Sequence, residues 1–168
     1  NGSNGRGFAN PYDIAVGRAG MLYALNRCDP DRRESIRVGI FNIDEEYIGE
    51  FGYGFGAGDG QMVWPVAMSF DSKKRLLVTD EYNHRVSMFT ESGDFLRKWG
   101  VLGKSAGEFN GPAGIGIDTR DNVYIADQNN HRIQKYSIEG RFIGQWGEFG
   151  SRKGQFDLPW GICLDRNN

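Results

Sequence analysis

"PAGIGIDTRDNVYIADQNNHRIQKYSIEGRFIGQWG", residues 112–147, holds four short runs of β character separated by turn residues. An apolar run follows Pro112, a polar turn leads into "NVYIAD", and "QNNH" leads into the alternating "RIQKYS". An "EG" turn then precedes the closing "RFIGQW". Short runs rich in Val, Ile, Tyr and Phe, joined by hairpin-length turns, form antiparallel meanders. The same sentence stands upstream in other words as "PVAMSFDSKKRLLVTDEYNHRVSMFTESGDFLRKWG", residues 65–100. Pro65, Pro112 and Pro159 follow one another at intervals of 47 residues. Asp80 and Asp127, His84 and His131, Phe89 and Tyr136, Gly93 and Gly140, and Trp99 and Trp146 keep the same interval. Four strands per unit of this length is the arithmetic of a β-propeller blade. A lone four-stranded sheet has two faces to cover, and it covers them by stacking radially on its neighbours.

Both quoted stretches resemble the NHL-repeat family of β-propellers, whose blade runs from Pro-Gly and a hydrophobic strand through Val-Tyr-hydrophobic-Ala-Asp and Asn-His-Arg-hydrophobic to an aromatic and a closing Gly. The second stretch lacks only the Gly after its proline. The resemblance implies an all-β fold of four-stranded antiparallel blades, six to a ring, which at this repeat length needs about 280 residues. The reading divides the chain into a connector or linker (1–10), a blade with a loop insertion (11–64), two regular blades (65–111 and 112–158) and the first strand of a further blade (159–168). Three blades and a strand make a partial ring, closed by missing blades of the same chain or by self-association, because unpaired edges invite association. The first repeat is longer, with 54 residues from Pro11 to Pro65. Most of the excess lies in "NRCDPDRRESIRV", where the regular blades have a tight turn between strands two and three.

Twenty-five glycines against five prolines suit many tight turns and short strands. No window of about 18 apolar residues exists, so membrane insertion by a helix is not expected. The end "NGSNGRGFANP" has neither an initiating Met nor a hydrophobic signal core and reads as a processed end or an interior cut, so no compartment is encoded. A net charge of −2 and a pI near 5.7 argue against a nucleic-acid footprint, which needs a surplus of Lys and Arg on one face. Cys28 and Cys163 permit one disulfide, but nothing in their spacing forces it.

Asp127 and His131, with Asn130 between them, have the chemistry of an acid/base pair or of metal ligands. Asp80, Asn83 and His84 repeat the group one blade away, and successive blades place such turns well apart. The stronger reading is a structural turn. The Asp accepts backbone N–H groups, the Asn takes the left-handed conformation, and the His bonds within or between blades. No catalytic, cofactor-binding or metal-ligating residue is assigned. The glycine-rich stretches such as "GYGFGAGDG" lack the Lys-Ser/Thr of a phosphate loop and read as blade connectors. Phe51, Trp99 and Trp146 share one phase and read as packing between blades.

In an up-and-down blade, the connector into strand one and the turn between strands two and three emerge on the same face. This groups Tyr12, Trp64, Leu158 and Trp160 with Arg27, Arg32, Arg33, Glu81, Tyr82, Gln128 and Asn129 as a candidate interaction face. These positions differ from blade to blade, which a recognition surface needs and a scaffold does not. The expected function is a non-enzymatic binding or scaffold module that presents variable loops to a protein or peptide partner. Single-stranded RNA binding, known in the resembling family, is the alternative that the charge disfavours. The other alternative is part of a lyase- or lactonase-like propeller enzyme whose site lies largely in other blades.

Overall fold

In the computed structural model, residues 10–27, 35–52 and 54–165 are described. Among them, twelve strands form three four-stranded antiparallel sheets, each in sequence order. Blade 1 holds β1 (Pro11–Val16), β2 (Leu22–Asn26), β3 (Arg37–Phe41) and β4 (Tyr47–Phe51). Blade 2 holds β5 (Pro65–Phe70), β6 (Leu76–Asp80), β7 (Arg85–Phe89) and β8 (Phe95–Trp99). Blade 3 holds β9 (Pro112–Ile117), β10 (Val123–Asp127), β11 (Arg132–Tyr136) and β12 (Phe142–Trp146). Each sheet opens on the repeat proline, which fits a first strand because Pro has no N–H to give a ladder. The fold is all-β, with no α-helix among the described residues, and the ring is not closed.

The first strands β1, β5 and β9 pack side by side and so lie toward the axis. The middle strands carry the buried residues, while β8 and β12 are largely exposed. Among the described residues the core forms two slabs between blades. One joins Leu25, Val38 and Phe51 of blade 1 to Met68, Leu76 and Phe89 of blade 2. The other joins Leu77, Val86 and Met88 of blade 2 to Ile115, Val123 and Tyr136 of blade 3. A blade therefore has no private core, and its apolar surface is buried only by the next blade.

The expectation of aromatics between blades holds twice. Phe51 lies 5.3 Å from the Phe89 ring and Trp99 lies 6.4 Å from Tyr136, each aromatic reaching forward into the next blade. At Trp146 no following blade is present among the described residues to receive the ring, which is half exposed and packs on Tyr124 of its own blade. Residues 159–165 carry no strand where a first strand is expected. They follow β9 closely, with the Gly114 N–H donating to the Trp160 carbonyl at 2.7 Å. A strand needs a ladder, and no hairpin partner for this segment lies among the described residues. Cys163 is a free, exposed thiol, and Cys28 lies outside the described residues.

The joints predict a contrast at one repeat phase. Phe51→Ala is expected to destabilise the fold by about 3–5 kcal/mol, as buried Phe truncations do. Trp146→Ala should cost under about 1 kcal/mol, because that ring is half exposed. Urea unfolding of the two variants against the wild type checks the difference.

Candidate functional site

The turns between second and third strands are built by the repeated aspartates. Asp80 accepts the N–H groups of Val63 (2.8 Å), Trp64 (3.1 Å) and Asn83 (3.1 Å), together with the Asn83 Nδ2. Asp127 accepts the Asn110 N–H at 2.7 Å, the Asn130 Nδ2, the Gln134 Nε2 and the Arg132 Nε. Each Asn also reaches back to the connector, Asn83 to the Gly56 carbonyl and Asn130 to that of Gly103. The histidines reach forward: His84 Nδ1 accepts the Gly111 N–H and His131 Nδ1 that of Leu158. The left-handed backbone expected of the asparagines belongs to the histidines, with φ of 51° at His84 and 53° at His131. The physical reason is division of labour. Each Asn side chain is held by its aspartate and by the connector, so the reversal into the third strand falls on the following residue.

The sequence reading missed the arginine after each histidine. Arg132 donates from Nη1 to the Lys104 carbonyl (2.7 Å) and from Nη2 to those of Ser105 (2.9 Å) and Glu108 (2.8 Å). Arg85 does the same to Ala57, Gly58 and Gln61. The signal was available, since these arginines also stand 47 apart, but their targets are loop carbonyls that no side-chain pattern marks.

On the face above these turns, the structure brings the predicted residues of blades 1 and 2 into one row. The Arg27 guanidinium sits 4.8 Å from the Tyr12 ring centroid and 4.7 Å from that of Trp64, between the two. Its Nη1 pairs with Glu81 at 3.1 Å. Trp64 in turn meets Tyr82 edge to face at 5.4 Å. The loops are pinned beneath the row, as the Arg27 N–H donates to the Asn10 carbonyl and the Glu81 N–H to that of Trp64. Arg27 is therefore an internal strut with its charge engaged, while Tyr12 and Tyr82 are about half exposed. Gln128 and Asn129 follow the same plan one blade on, donating their N–H groups to Gly111 and Asn110 carbonyls. They do not join the aromatic row. Arg32 and Arg33 lie outside the described residues.

Beside the row, toward the axis, Tyr12, Asp13, Val66, Gly114 and Trp160 contribute to a cavity of about 300 Å³. Asp13 crosses from β1 to accept the Met68 N–H at 2.7 Å, and burial pushes its carboxyl above the usual carboxylate range despite that bond. The cavity mouth and the aromatic row share Tyr12, so the two form one continuous surface.

This architecture is that of a β-propeller. The profile of a family described as a 6-bladed beta-propeller matches residues 69–146. Among solved structures, virginiamycin B lyase from Staphylococcus aureus is similar with a TM-score of 0.67 at 16% identity, over 95% of this chain and 47% of the lyase. A protein of unknown function from Bacteroides thetaiotaomicron is similar with a TM-score of 0.68 at 19% identity, over 91% of this chain and 42% of its own. A chain of the nidogen/laminin complex gives a TM-score of 0.63 at 16% identity, over 92% of this chain and 52% of its own. The chain thus spans about half the length of the structures it matches. No curated protein matches it.

Arg27→Ala should leave the blades folded and cost about 1–2 kcal/mol, the sum of two cation–π contacts and a partly exposed ion pair. It should also expose Trp64, and a rise in iodide quenching of tryptophan emission relative to wild type reads that directly.

Proposed function

We propose that the chain is a non-enzymatic binding module of NHL-repeat type that presents the variable loops of one propeller face to a protein or peptide partner. The observation that carries this reading is the row Tyr12, Arg27, Trp64 and Tyr82, held across two blades beside Trp160 and the axial cavity. Tyr and Trp held at a defined geometry supply large contact area at low entropic cost, and such residues dominate protein interfaces. Beneath Trp64 and Tyr82 lies the Asp80-Asn83-His84 turn, and its recurrence as Asp127-Asn130-His131 supports the NHL assignment. A similar fold in the nidogen/laminin complex, an assembly of proteins, fits the reading at the level of fold.

Against an acid/base role, the oxygens of Asp80 and Asp127 are engaged by backbone and side-chain donors, and the His84 and His131 rings cap the next connector. Against RNA, the Arg27 charge is paired and Arg85 and Arg132 are buried among carbonyls.

Panning of phage-displayed random peptides on the wild-type chain tests the proposal. Enriched peptides should bind Tyr82→Ala and Trp160→Ala at least about tenfold more weakly, a loss of about 1.4 kcal/mol, and bind the outer-strand control Ile48→Ala normally. Peptides retained equally by all variants would contradict it. So would tight binding of labelled single-stranded RNA with a steep salt dependence.

A further inference from the structure

Two residues beyond the repeat proline, where neighbouring first strands approach closely, the later repeats carry the small residues Ala67, Gly114 and Gly161. A Cβ on Gly114 would collide with the Trp160 carbonyl. Blade 1 has Asp13 at this phase. Its carboxylate spans the joint between blades 1 and 2, with Oδ1 accepting the Ile14 N–H at 2.9 Å and Oδ2 that of Met68 at 2.7 Å. Both blades that fix it are present in the chain.

An ionised carboxylate has about four acceptor positions. Asp80 and Asp127 each receive four donors. Asp13 receives two N–H groups, and no cation among the described residues pairs with it. Of the described residues that line the axial cavity of about 300 Å³, it is the one that carries a charge. Burial lifts its pKa, because the anion is partly withdrawn from water with no counter-ion beside it. A cation entering the cavity would meet both the open acceptor positions and the uncompensated charge.

The walls select the kind of cation. Ligand cavities run from about 300 to 1,000 Å³, so one of this size takes a single long side chain rather than a folded element. Tyr12 and Trp160 line it and are each about half exposed. Long basic side chains lay their aliphatic stems along such surfaces and carry their charge beyond them. Arg27, over the Tyr12 ring, is already paired with Glu81, so the newcomer does not meet an uncompensated like charge. We propose that the peptide partner anchors itself with a lysine or arginine side chain in the axial cavity, its cation on Asp13 and its stem against Tyr12 and Trp160. This rests on the reading of the face as a peptide-binding surface.

Fluorescence anisotropy of peptides enriched by panning on the wild-type chain separates the two. Each should carry a Lys or Arg whose change to Gln weakens binding about tenfold or more, as loss of a close charge pair does. Asp13→Asn keeps an oxygen for the Met68 N–H. It should bind the parent peptides about tenfold more weakly and tell parent from Gln peptides by no more than about twofold. Peptides that need Tyr82 but contain no basic residue, or that bind Asp13→Asn as well as wild type, would overturn the basic anchor and leave the peptide-binding reading standing. So would an Asp13→Asn variant that weakens parent and Gln peptides alike, since the carboxylate would then act through the fold. Enrichment of no peptide that depends on Tyr82 would overturn both.

Discussion

Each of the arginines Arg85 and Arg132 places a buried cation among three main-chain carbonyls of the connector that enters its blade. Connectors have little regular secondary structure, so their carbonyls need donors from elsewhere, and a buried cation needs acceptors to offset its lost hydration. One side chain meets both demands. The adjoining aspartate then fixes the end of the same connector, so Asp80 sets where Trp64 stands and Asp127 where Asn110 stands. The positions of Trp64 and Tyr82 on the candidate face follow, because they stand on the connector end and the turn that the Asp80 and Arg85 network holds.

The network is more complete in blade 3 than in blade 2. Gln134 bridges Asp127, the Glu108 carbonyl, the Gly107 N–H and the Tyr136 hydroxyl. Blade 2 has Ser87 and Phe89 at these phases, and the shorter hydroxyl and the bare ring span none of those bonds. Asp80 compensates by accepting the Val63 N–H with the oxygen that Asp127 gives to Arg132 and Gln134. Repeats of this kind share a clamp while differing in how much polar bonding surrounds it.

The strands, their order and the prolines that open them were legible in the sequence, because the landmarks kept one interval and each strand carried its own turn chemistry. The grouping of Tyr12, Trp64, Glu81 and Tyr82 on one face was legible too, from strand alternation alone. The stacking of Arg27 between two rings was not, since it joins residues from two blades whose lateral offset no periodicity encodes. The arginine clamps escaped because their partners are backbone atoms.

The claim that the clamp couples each connector to its blade is tested most directly by amide hydrogen exchange of Arg132→Met beside the wild type. The substitution keeps the side chain's length and removes its donors. The coupling predicts that Gly103 and Phe109 in the connector, and the ladder of β10 with β11, lose protection while β1 to β4 keep theirs. Unchanged protection of that connector, or an equal loss across all three blades, would contradict it.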